Sequence, residues 1–144
     1  MLCSPFVFAP YASQWFEPIA EYISMKNNGG KGFHYFMRDL CTLLVSWNFT
    51  PDDSPKHKLL CTTMVNTLIK FGADKSKLIF NTNIQIIATL LHRWRRLIAV
   101  NKDTLTSMVA MDDKKEGSNL WKMTGIQILA LTVSFDIPLL EKPE

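Results

Sequence analysis

Cysteine is scarce in this chain: Cys3, Cys41 and Cys61 are the only three, and no two have the C-x-x-C spacing. An odd, unclustered set excludes a disulfide framework and a thiolate zinc site, and it suits a reducing compartment. Histidine is equally sparse. His34, His57 and His92 share no H-x-x-x-H or H-x-x-E-H spacing, so no metal and no cofactor is expected. Long hydrophobic runs are missing too. The longest uncharged apolar stretch, Met123–Phe135, is shorter than the roughly 20 residues a membrane helix needs, so no membrane partner is expected. The opening Met1–Tyr11 has no basic n-region and is broken by Pro5 and Pro10, which makes a poor signal peptide. Nor does either sign of charge dominate. Sixteen Lys and Arg against thirteen Asp and Glu leave a net charge of +3, far below that of a dedicated nucleic-acid binder.

What the chain does have is apolar periodicity. Hydrophobic residues make up 47% of its 144 residues and charged residues 20%, the balance of a folded globular domain. Three stretches, ending at Trp47, Trp94 and Phe135, carry one code. Fourteen places back stand Phe33, Phe80 and Trp121; seven back stand Leu40, Ile87 and Ile128. Four back are Leu43, Leu90 and Leu131, three back are Leu44, Leu91 and Thr132, and ten back are Met37, Ile84 and Gly125. These offsets all fall on one face of a 3.6-residue helix. The stretches recur 47 and then 41 residues apart, the period of HEAT and armadillo arrays. Such units cannot bury their apolar faces alone and stack into a solenoid.

Local signals place about six helices. The first spans roughly Glu17 to Lys26, with Pro18 in its first turn, and the second runs from Phe33 to Trp47. Ser54 reads as the N-cap of a third, with Pro55 at its first position and Gly72 at its end. Ser76 can cap a fourth reaching about Ala99, and Asp103 a short fifth through Met111. The sixth covers about Leu120 to Phe135, with Pro138 beyond it. No strand is expected. The fold class is all-α, a HEAT/armadillo-like α-α solenoid. Residues 1–14 are read as irregular, 15–140 as the helical-repeat segment and 141–144 as a tail.

Chemical motifs are weak. Gly29-Gly30-Lys31-Gly32 has the glycines of a phosphate loop, but Gly32 stands where Ser or Thr would hold Mg²⁺, and a helix precedes it where a strand should. Met37-Arg38-Asp39-Leu40 echoes a kinase catalytic loop without its His or Asn. No catalytic residue is assigned. The densest cationic cluster is His92, Arg93, Arg95 and Arg96, read as a ridge on the fourth helix opposite Trp94. It suits contact with phosphate or an acidic partner; a solvated face whose arginines pack their stems would look the same.

Several blocks in this chain resemble the family of DNA-dependent protein kinase catalytic subunits, within the phosphatidylinositol-3-kinase-related kinases. They are Gly29 to Phe36, Asp39-Leu40, Ser46-Trp47, Ile79-Phe80, Asn83-Ile84, Ile86-Ile87, Thr89-Leu90, Trp94, Gly125-Ile126-Gln127 and Asp136-Ile137-Pro138, in order and at similar spacing. The resemblance implies a mid-length segment of the helical-repeat cradle, remote from the kinase domain. It further implies a nuclear serine/threonine kinase of double-strand-break repair by non-homologous end joining. The whole protein's partners would be the Ku heterodimer and DNA ends, and this segment's would be neighbouring repeats of the same large chain. It carries over no catalytic residue, and the loops Thr50–His57 and Asp112–Asn119 depart from it most. The alternative is a stand-alone helical adaptor that holds a partner peptide or helix in a groove between helices.

One prediction follows from the motifs. Isothermal titration with Mg-ATP should show no binding, because the turn lacks the hydroxyl that would hold the metal. Mg²⁺-dependent binding lost on Lys31→Ala would contradict this.

Overall fold

The computed structural model describes the backbone of residues 9–24, 33–47, 49–71, 77–110, 112–114 and 118–141, and the side chains of 10–24, 39–47, 49–70, 84–110, 112–114 and 119–141. Within these spans a 3-10 turn, Ala9–Tyr11, leads into six α-helices: α1 Ala12–Ser24, α2 Phe33–Ser46, α3 Pro55–Phe71, α4 Lys77–Arg93, α5 Lys102–Val109 and α6 Ser118–Ser134. Successive helices pair as α1 with α2, α3 with α4 and α5 with α6. Across those hairpins α1 packs on α3, α2 on α4 and α4 on α6. The arrangement is a two-layer helical repeat.

The three stretches with the shared code are α2, α4 and α6, the second helix of each hairpin and one continuous stack. The repeat extends to how these helices end. The closing aromatic donates its backbone N–H to the leucine carbonyl four places back: Trp47 to Leu43 at 3.2 Å, Trp94 to Leu90 at 2.8 Å, Phe135 to Leu131 at 2.9 Å. Trp47, Ile87, Trp94 and Ile128 are buried, while Leu40, Trp121 and Phe135 are half-buried against the same core. The side chains of Phe33 and Phe80 lie outside the described residues, as do Cys3, the Gly29–Gly32 turn, Gly72 and Ser76.

Gly125 breaks the code for a packing reason. A Cβ there would sit 3.0 Å from Met108 Cβ and 3.1 Å from Val109 Cγ2, so the backbone of α5 crosses α6 where Met37 and Ile84 stand in the other repeats. The helix-weakening cost of glycine is accepted for that close approach.

Several boundaries differ from the sequence reading. The first helix starts at Ala12, not near Glu17, and Pro18 lies inside it. Ala12, Phe16, Ala20 and Ile23 form one buried stripe, and this packing carries the helix across a proline that faces solvent. The third helix begins as expected, with Ser54 Oγ accepting the His57 N–H at 3.3 Å.

The fourth helix stops at Arg93, six residues before Ala99, and a turn over Trp94–Leu97 follows. Side chains of α3 explain this. Asn66 Nδ2 donates to Ala99 O at 2.9 Å and its Oδ1 accepts from Asn101 N at 2.7 Å, while Thr62 Oγ1 accepts from Ala99 N at 3.3 Å. These bonds hold the backbone extended. It then forms β1, Val100–Asn101, paired in parallel with β2, Leu139–Leu140, a two-residue ladder where no strand was expected.

Asn101, not Asp103, caps α5. Its Oδ1 accepts from Asp103 N at 2.9 Å and Thr104 N at 3.3 Å. At the end of α6, Asp136 takes φ 57° and a Schellman closure forms, with Ile137 N donating to Thr132 O at 3.0 Å and Asp136 N to Val133 O at 3.1 Å. Pro138 O then accepts from Val100 N at 3.0 Å, which seats the C-terminal segment on the turn after α4.

Trp94 is 2% exposed, so Trp94→Ala should lower unfolding free energy by about 3–5 kcal/mol in a denaturant titration. A change under about 0.5 kcal/mol, usual for surface positions, would remove Trp94 from the core. Gly125→Val should cost about 1–3 kcal/mol by overpacking against α5.

Candidate functional site

His92, Arg93, Arg95 and Arg96, the densest basic cluster in the sequence, lie around one cleft of about 580 Å³. They do not form a ridge on one helix. His92 and Arg93 occupy the last turn of α4, whereas Arg95 and Arg96 lie in the turn beyond it. Thr50, Pro51 and Asp53, from the loop between α2 and α3, line the same cleft.

The four residues differ in what binds them. Arg93 is half-buried and donates from Nη1 to Val45 O at 2.7 Å, so it ties α4 to α2. The exposed His92 rests on Phe135, ring centroids 5.2 Å apart. Arg95 and Arg96 are exposed and make no hydrogen bond or ion pair with a described residue. The helix dipole favours cations in the last turn of α4, which accounts for His92 and Arg93. It does not account for the two arginines past that turn.

A second concavity lies between α3 and α5. This groove of about 1070 Å³ has Thr62, Thr63 and Thr67 on one side, Thr104 and Ser107 on the other, and Met108 and Trp121 among its lining. Its residue types carry no signature that periodicity reveals.

The apolar surface is uneven. Trp15 on α1 is 52% exposed, and Met123, Ile126 and Val133 on α6 are 56%, 55% and 70% exposed. The buried residues of α6, Thr124, Gly125, Ile128 and Thr132, lie on its opposite side. Both buried threonines satisfy their hydroxyls within the helix, Thr124 to Leu120 O and Thr132 to Ile128 O, each at 2.7 Å.

The titratable groups form structural clasps. Glu17 accepts from Lys56 Nζ at 2.6 Å and lies 3.0 Å from His57 Nε2. His57 Nδ1 is 2.8 Å from Asp52 Oδ1, off the hydrogen-bonding axis. The Lys56 ammonium, and then His57, hold the Glu17 carboxyl below its usual range. Hydrogen bonds from Ser54 do the same for Asp52. Burial pushes the Cys41 and Cys61 thiols up to about 12, which leaves them protonated and poor nucleophiles at neutral pH. Among the described residues, no three His, Cys, Asp or Glu side chains gather as a metal site, and no helix is long and apolar enough to cross a membrane.

A two-layer stack of helical hairpins with a cationic notch and an uncovered apolar face defines a helical-repeat segment. Comparison with known proteins shows what it is similar to. The family model for the DNA-dependent protein kinase catalytic subunit, CC3, matches residues 3–51, which cover α1, α2 and the first part of the loop that follows. The catalytic subunit of Canis lupus familiaris is 28% identical over 134 residues, 92% of this chain. That of Xenopus laevis is 29% identical over 89% of the chain, and that of Dictyostelium discoideum 28% over 96%. Most of this chain is thus related to a segment of the DNA-dependent protein kinase catalytic subunits. It spans about 3% of the length of those relatives.

The Glu17 and Asp52 clasps predict an acid response. Both folded-state values are depressed, so their contribution is complete above the ordinary values of 4.5 and 3.8 and is lost as pH falls through the lowered ones. In Glu17→Gln the stability gap from the parent chain should be present at neutral pH and close as pH drops from about 5 to 2. Melting temperatures read across that range test it, and a pH-independent gap would rule the clasp out.

Proposed function

We propose that this chain is a non-catalytic scaffold segment of a DNA-dependent protein kinase catalytic subunit, a nuclear serine/threonine kinase of double-strand-break repair by non-homologous end joining. Its role is to supply length, curvature and docking surface within a helical array. Its direct partners are neighbouring helical repeats of the same large protein; the Ku heterodimer and DNA ends are partners of the whole. The kinship along nearly the full chain supports the assignment. The observation that carries the scaffold role is the outer face of α6.

Met123, Ile126, Ala130 and Val133 are spaced by three, four and three residues and are all exposed. That is one apolar stripe, directed away from α4 and α5 and placed where a further helix would continue the stack. Each large side chain fully buried there would contribute about 1.5–3 kcal/mol. Trp15 and Tyr22 give α1 a smaller apolar face of the same kind.

The expected outcome is self-association of the isolated chain, seen by light scattering over a concentration series. Met123→Glu with Ile126→Glu and Val133→Glu should abolish it without lowering the melting temperature, since all three sites are exposed. A parent chain that is monomeric throughout would favour the stand-alone adaptor, with a peptide or helix seated in the α3–α5 groove.

A further inference from the structure

The stack and its apolar end leave the cationic cleft unused. We propose that this cleft receives a single anionic side chain, a carboxylate or a phosphate, presented by an acidic or phosphorylated peptide segment. The inference is independent of the scaffold reading, since it rests on residues remote from the outer face of α6.

Four features point to an anion. Arg95 and Arg96 carry guanidinium groups that no described residue engages, and they border a concavity, not a convex ridge. Their backbone is fixed, because they sit between two buried anchors, Trp94 and Leu97, and Leu97 N donates to Trp94 O at 2.8 Å. Pro51 and Leu97, which line the same cleft, are buried, so part of the lining is apolar. A guanidinium is a planar fork of donors that binds carboxylate or phosphate in a bidentate manner, and a partly apolar lining strengthens such a pair by excluding water. His92, held against Phe135, adds ring N–H capacity at the rim.

Two features favour a peptide over a nucleic acid. Asp53, from the loop before α3, lines the same cleft, and a continuous line of phosphates would have to pass that carboxylate. Among the described residues of the cleft the free cations are also few: Arg93 is committed to Val45 O, which leaves the two neighbouring arginines with His92 beside them. A duplex needs a broader basic surface to release enough counterions for firm binding. One inserted side chain needs only this notch, and Asp53 then acts as a selectivity element that weakens binding of poorly placed anions.

The test uses the full 144-residue chain and fluorescein-labelled peptides in anisotropy titrations. One peptide sequence with neutral flanks is made in three forms, with phosphoserine, glutamate or glutamine at its centre, beside a short DNA duplex. The phosphoserine or glutamate form should bind, and the tighter of the two identifies the source of the anion. The glutamine form should not bind. Arg95→Gln with Arg96→Gln should weaken binding about tenfold or more, at unchanged melting temperature. Asp53→Asn should tighten it by about two- to fivefold, a gain that misfolding cannot produce. The proposal is overturned if neither charged peptide binds, if the arginine variant or Asp53→Asn leaves affinity unchanged, or if the duplex binds more tightly than both peptides.

Discussion

Burial of the Trp94 indole is the constraint on which most of this structure depends. The residue directly follows α4, the middle helix of the α2–α4–α6 stack, and its ring meets Phe16 of α1 edge-on, centroids 5.7 Å apart at 83°. A buried indole must still place its N–H. Here Nε1 donates to Phe49 O at 3.2 Å. One side chain therefore joins both layers and holds the loop between α2 and α3. Phe16 in turn contacts Phe49 at 5.6 Å and His57 at 5.4 Å, so that loop is gripped from two sides. Because the same loop supplies Pro51 and Asp53 to the cationic cleft, the geometry of the cleft is set in the core and not at the surface.

Asn66 plays the corresponding part for the third hairpin. Its amide donates to Thr62 O at 2.8 Å as well as to Ala99 O, and its carbonyl oxygen receives the Asn101 N–H. Asn101 then caps α5, and β1 pairs with β2, which follows the Schellman turn of α6. A half-buried amide with three of its four bonding sites used fixes a backbone direction that an apolar residue could not specify. The exposed Lys102–Glu141 pair, 2.9 Å apart, closes the outer side of that ladder and adds little in a screened setting.

These two residues mark the boundary of what the sequence discloses. Short-range signals are legible: the shared apolar code falls on the equivalent helices α2, α4 and α6, and Ser54 starts α3. The illegible features are those decided by partners far away in the chain. Nothing local ends α4 at Arg93, since Leu97 and Ile98 continue an apolar pattern and are indeed buried; donors and acceptors 33 to 37 positions away pull the segment out of the helix. Asp103 and Asn101 are both good caps by residue type, and only the end of β1 selects Asn101. The candidate site divides the same way. Its four basic residues are adjacent in sequence, but Asp53 and Pro51 reach them from some forty positions earlier, and the bond from Arg93 to Val45 spans 48.

The two ends of the second layer are not equivalent, and this asymmetry has a physical consequence. α2 turns Asp39, Thr42 and Ser46 to solvent, while α6 turns Met123, Ile126, Ala130 and Val133 outward. Both helices have one side packed on α4. Among its described residues α2 is amphipathic and is satisfied by its contacts with α1 and α4, whereas a helix apolar on both sides is stable only when both are covered. Gly125 sharpens the difference, because it lets α5 close on the inner side of α6 and leaves the outer stripe as the surface with apolar area still to bury. Among the described residues, the apolar area left uncovered in this layer is therefore largest at α6, where covering each large side chain would contribute about 1.5–3 kcal/mol.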